Sequence, residues 1–111
     1  MSKLIISVGL VLTVCLAIGC GSEVGDHCSD SGECPDKCQT GGGFPDGICT
    51  MECMKNSECP DGWICITKSS GICMKNCTDT SACSSEFGSN WVCDAEALQE
   101  GGGSSNVCIG K

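Results

Sequence analysis

The chain has 111 residues, a formal net charge of −8, fourteen cysteines, two tryptophans, two phenylalanines and no tyrosine. From Cys20 onward only eleven of 92 residues are Val, Ile, Leu or Phe, too little apolar surface to offset chain entropy without cross-links. Over the same stretch five lysines face fourteen acids, a balance of −9 that excludes electrostatic docking on nucleic acid or anionic lipid; the cysteine share points to a small disulfide-rich fold.

The chain opens with "MSKLIISVGLVLTVCLAIGC", in which a charged segment ends at Lys3 and an apolar run extends from Leu4 to Ile18. A membrane span needs about 20 apolar residues, and this run is shorter and is followed by small residues, so it reads as an export signal. "LAIGC" resembles a bacterial lipobox. That resemblance implies a signal peptide over 1–19, cleavage before Cys20, diacylglycerol on the Cys20 thiol and an acylated amino terminus of the palmitate type. Residues 20–27 would then form a lipidated linker, with the membrane as partner through the acyl chains. Gly21 lacks the aspartate that holds such lipoproteins at the inner membrane, so the expected address is the outer membrane or cell surface. Ala17-Ile18-Gly19 would also suit an ordinary signal peptidase and a secreted product. Cysteine parity favours lipidation over simple cleavage before Cys20, because modifying Cys20 leaves an even set of twelve. A cut after Gly21 would leave the same twelve.

Those twelve fall into three units of four: Cys28, Cys34, Cys38 and Cys49; Cys53, Cys59, Cys65 and Cys73; Cys77, Cys83, Cys93 and Cys108. In each, five residues separate the first two cysteines, and three residues separate one unit from the next. The fourth cysteine always follows a β-branched residue (Ile48, Ile72, Val107). "Trp-Ile" or "Trp-Val" precedes the third in the last two units, at Trp63 and Trp91. The units therefore span 28–49, 53–73 and 77–108, and the array ends on a unit boundary.

Regular structure is expected to be sparse. Short hairpins are predicted near "WICI" with "GICM" and near "NWVCD" with "NVCI". "PDGW" reads as a β-turn, and "DAEALQE" as a helical turn capped by Asp94 and stopped by Gly101. Three units of this kind are expected to stack as a short rod.

Thiols at these positions are read as staples. Zinc and iron–sulfur sites draw on C-x2-C pairs, which the chain lacks, and an exported protein crosses an oxidising compartment. Four cysteines per unit allow three pairings. First-to-third with second-to-fourth is favoured, since those loops are of useful size and interlock. No metal or cofactor is expected, although the thiols and acids together leave an envelope metal-binding protein as an alternative. His27, the single histidine, is expected to be an exposed neighbour of the first disulfide. With one histidine and no means of desolvating carboxylates, catalysis is not expected. Trp63 and Trp91 read as the largest core residues of their units or, alternatively, as exposed anchors for a protein partner. The first unit, lacking such a Trp, is expected to pack more loosely.

The middle unit, "C-MKNSE-C-PDGWI-C-ITKSSGI-C", resembles the small repeat C-x5-C-P-x-G-x-x-C-x(n)-C of exported proteins and lipoproteins of myxobacteria. It is similar also to EB-type and EGF-like modules and to the cysteine-rich region at the Dickkopf N-terminus. The resemblance covers Cys28 to Cys108, implies extracellular binding or spacing roles and no known catalysis, and names no ligand; an extracellular protein or glycan is the expected partner. "CITKSSGIC" looks somewhat like the inhibitory loop of Bowman-Birk protease inhibitors, which would make Lys68 the primary-specificity residue. Ile66 is an extra residue in that comparison, and Ser70-Gly71 stand where stiffening prolines occur. The expectation is a non-enzymatic, lipid-anchored envelope protein with a binding, adhesion or structural role. A secreted serine-protease inhibitor acting through Lys68 is the alternative.

Overall fold

A computed structural model describes residues 23–111, so the expected signal peptide (1–19) and lipidation site Cys20 lie outside the described residues. Each unit contributes one antiparallel hairpin: β1 (Lys37–Gln39) with β2 (Ile48–Thr50), β3 (Trp63–Ile66) with β4 (Ile72–Lys75), and β5 (Trp91–Ala97) with β6 (Ser104–Gly110). One α-helix, α1 (Thr80–Phe87), begins after the first cysteine of the third unit and carries the second, Cys83. In the first two units 3-10 turns at Ser31–Glu33 and Asn56–Glu58 take its place.

Hairpin register is set around the cysteines. The third and fourth of each unit face each other across the strands: Cys38 with Cys49, Cys65 with Cys73, Cys93 with Cys108. They are not bonded to each other. Each reaches back instead to the loop before the hairpin, giving Cys28–Cys38 and Cys34–Cys49, Cys53–Cys65 and Cys59–Cys73, Cys77–Cys93 and Cys83–Cys108. The leading loop is thus pinned over one face of its hairpin by two interlocked bridges. Closing a loop of about 15 residues contributes about 3 kcal/mol through the unfolded chain. Such bridges supply what a core this small cannot.

The units do not stack as a rod. Phe44 and Ile48 from the first unit, Trp63, Ile66, Ile72 and Met74 from the second, and Phe87, Trp91, Val107 and Ile109 from the third form a single buried cluster. No unit has enough apolar area to cover itself, so pooling side chains is the solution that buries most surface. Backbone bonds tie the cluster shut: Gly110 N donates to Gly43 O at 2.8 Å, Thr67 N to Ala97 O at 2.9 Å, and Gln99 N to Cys65 O at 3.0 Å. Thr50, the buried polar residue, donates its hydroxyl to Cys73 O. Phe44 gives the first unit a buried aromatic anchor in place of the Trp of the other two.

"PDGW" forms its turn, with Trp63 N donating to Pro60 O at 2.9 Å and Gly62 at φ +84°. "DAEALQE" is not helical. Asp94, Ala95, Glu96 and Ala97 extend β5 and pair with Val107, Asn106, Ser105 and Ser104. A seven-residue helix nucleates poorly, whereas the cysteines already hold β5 opposite β6. Gly101, Gly102 and Gly103, all near φ +75°, then allow the chain to reverse. The helix lies earlier in the unit, where the Asp79 carboxylate accepts from Ala82 N and Gly88 ends the last turn.

Candidate functional site

The repeat is built on a contact that cysteine spacing did not reveal. Three residues after the first cysteine of each unit stands a short polar side chain: Ser31, Asn56 or Thr80. Each accepts the backbone N–H of its unit's third cysteine, at 3.1 Å (Cys38), 2.9 Å (Cys65) and 3.0 Å (Cys93). That N–H points away from the hairpin partner and would otherwise lie open on a strand edge. A second recurring contact closes the unit. Cys53 N donates to Gly71 O and Cys77 N to Asn106 O, both at 3.1 Å. The Gly47 carbonyl, at the matching position of the first unit, faces His27 Nδ1 at 2.8 Å.

Carboxylates organise the leading loops. Glu33 accepts from Ser29 N and Asp30 N at 2.6 and 3.0 Å, and Glu58 from Met54 N and Lys55 N at 2.6 and 3.3 Å. These backbone donors hold both carboxyls below their ordinary range. Asp79 is lowered likewise, first by the Ser81 hydroxyl and then by Ala82 N. All three carboxylates are fixed by their own loops and are structural groups.

Trp63 and Trp91 are core residues, 9% and 0% exposed, and so do not form surface anchors. Both meet Phe87: Trp63 edge-on with ring centroids 6.3 Å apart, Trp91 tilted at 5.2 Å. Lys68 opens a 3-10 turn (Lys68–Ser70), and its ammonium lies 3.8 Å from the Glu96 carboxylate on β5. Ser69 and Ser70 follow at φ +52° and +69°. This is a folded-back turn, unlike the extended segment that a substrate-like inhibitory loop presents.

In each unit three sulfurs gather within 4.8 Å, the geometry of two neighbouring disulfides. All twelve cysteines described are bonded, and a bonded sulfur offers no thiolate to a metal. The second unit carries an open groove of about 380 Å³ lined by Glu52, Cys53, Met54, Glu58 and Ser70. Met54, at 67% exposure, is the large apolar side chain left in solvent beside it. Residues Val24 to His27, the end of the segment 20–27 read as a linker, are docked: Val24 packs on the core and Gly25 N donates to Cys49 O at 2.8 Å. Among the described residues no helix is long and apolar enough to cross a membrane. Comparison with family models, curated proteins and solved structures finds no match to this chain.

Proposed function

We propose that this chain is a non-enzymatic lipoprotein of the cell envelope, anchored by acyl chains on Cys20 and acting through its surface as a binding, adhesion or structural module. The observation that carries the reading is the adjacency of "LAIGC" to a disulfide-locked body that begins within a few residues of it. Acyl chains contribute about 0.8 kcal/mol per buried methylene, so two or three of them hold a protein stably at a membrane. The module would then stand close to the bilayer, since the segment docked from Val24 leaves only a short tether after Cys20. Its acidic surface suits an extracellular protein or glycan that is neutral or basic.

The inhibitor reading draws no support from the Lys68 turn, which is folded back and ion-paired with Glu96. The metal reading draws none from sulfurs already joined in pairs. The proposal is tested by growing cells with labelled palmitate and comparing wild type with Cys20→Ala. Label in the wild type alone, with the variant released from membranes, supports the anchor. An unlabelled wild type, or a variant that stays membrane-bound, overturns it.

A further inference from the structure

We infer that the outer edge of β1 is a docking site for an extended segment of a partner protein, seated as Ala97 to Glu100 are seated on the second unit. In each hairpin the backbone groups of the third cysteine, and of the residue two further on, point away from the partner strand. These residues are Cys38 and Thr40, Cys65 and Thr67, Cys93 and Ala95. Such an edge is a template for another strand unless something closes it.

The three edges are treated differently. In the second unit a segment of the third lies along the edge: Gln99 N donates to Cys65 O at 3.0 Å, and Thr67 N to Ala97 O at 2.9 Å. Glu100 then reaches the leading loop, where its carboxylate accepts from Asn56 N at 2.8 Å. In the third unit the edge is closed from within, since the Asp94 carboxylate accepts from Ala95 N at 2.9 Å. In the first, Cys38 N is taken by the Ser31 hydroxyl, as in its counterparts. Among the described residues, Cys38 O, Thr40 N and Ser31 N have no partner. These three groups match the Cys65 O, Thr67 N and Asn56 N that hold residues 97–100. Thr40 is exposed and Gln39 half-buried, so the edge is open to solvent.

The occupied edge states the chemistry of the occupant. It presents a carbonyl to Thr40, a backbone N–H two residues later to Cys38, and a side-chain acceptor on the next residue to Ser31. Strand addition of this kind draws affinity from the main chain and selectivity from side chains. Asp30, Glu33 and Asp36 line the adjoining loop, and Lys37 beside them is paired with Glu52 at 3.6 Å. Basic residues flanking the incoming segment therefore suit it. A second copy of the chain does not supply the strand, because its own 97–100 already lies along its own β3. The inference rests on the reading of this chain as a binding module, and is independent of the anchor at Cys20.

The probe is the peptide acetyl-Lys-Ala-Leu-Gln-Glu-Lys-amide, residues 97–100 with a lysine at each end. It is titrated to a few millimolar into the ¹⁵N-labelled, oxidised protein and followed by NMR. The expected result is saturable shifts centred on the amides of Ser31, Gln39 and Thr40. The same peptide N-methylated at its glutamine, which cannot donate to Cys38 O, is expected to bind at least about tenfold more weakly. Gln39→Asp gives Thr40 N the internal acceptor that Asp94 gives Ala95, and is expected to abolish the shifts while all six disulfides stay formed. No shift at these amides, or shifts centred elsewhere, overturns the inference. So does equal binding of the methylated peptide, or of the probe to the variant; if the variant does not fold, the methylated peptide on the wild type decides alone. Failure removes this edge as the partner's site and leaves the anchor, which the palmitate experiment reads, untouched.

Discussion

The Thr80 hydroxyl accepts the backbone N–H of Cys93 at 3.0 Å, and Asn56 does the same for Cys65 at 2.9 Å with an amide oxygen. Different side chains perform one task at one position of the repeat. The task is to occupy a strand-edge donor while fixing the leading loop against the hairpin it is stapled to. Removing the acceptor leaves the N–H of Cys65, a buried residue, without a partner. Asn56→Ala is expected to cost about 1 kcal/mol in guanidinium denaturation of the oxidised protein. Asn56→Ser, which restores an acceptor, is expected to cost less. Equal losses for the two variants would show that the contact is incidental.

Gly47 and Gly71 are the positions least able to take a side chain. A Cβ on Gly47 would lie 2.1 Å from Cys28 O and one on Gly71 2.3 Å from Cys53 O, and both glycines have positive φ (+70° and +112°). The obstructing atoms are backbone carbonyls of the first cysteine in each unit, so relief requires the whole leading loop to move. Gly71→Ala is expected to cost at least about 2 kcal/mol and to lower the yield of fully oxidised protein. Gly42→Ala, whose Cβ meets nothing within 4 Å, is the control and is expected to be silent. Free-thiol counts on the purified variants read the difference.

Acid should loosen the leading loops. Glu33, Glu58 and Asp79 are held below their ordinary values by backbone and hydroxyl donors. For carboxyls lowered in the folded state, the stability they contribute is fully present above the unfolded value. It is lost as pH falls through the folded one. The loss is therefore expected below about pH 4.5. Amide hydrogen exchange at Met54 and Lys55, whose N–H groups bond Glu58, is expected to accelerate relative to its intrinsic rate over that window. In Glu58→Gln it is expected to be fast already at neutral pH. An acid profile unchanged by Glu58→Gln would remove the carboxylate from the account.

The cysteine gaps made the units and the hairpins legible, because a strand-centred cysteine pair leaves its mark in the residues around it: Trp-Ile before Cys65, Gly-Ile before Cys73. The helix at Thr80–Phe87 was not expected: Asp79 as cap and Gly88 as stop stand in the sequence, but "TSACSSEF" has little apolar periodicity to advertise it. "DAEALQE" misled because Ala, Glu and Leu favour helix locally, and pairing of β5 with β6 decides otherwise. The closed arrangement of units was hidden for a different reason. Nothing in the spacing says that Phe87 will sit between Trp63 and Trp91, since that contact joins residues of separate units. The polar position at Ser31, Asn56 and Thr80 could have been found by aligning the units, for all three residues are good side-chain acceptors. Their types differ enough to escape a search for identity.

The anchor and the staples are read together by the intact mass of the protein extracted from membranes, before and after reduction. The expected species begins at Cys20, carries diacylglycerol and an amide-linked acyl chain, and gains about 12 Da on reduction, two hydrogens for each of the six disulfides. An unacylated amino terminus would contradict the anchored module. A smaller mass gain would contradict the fully stapled one.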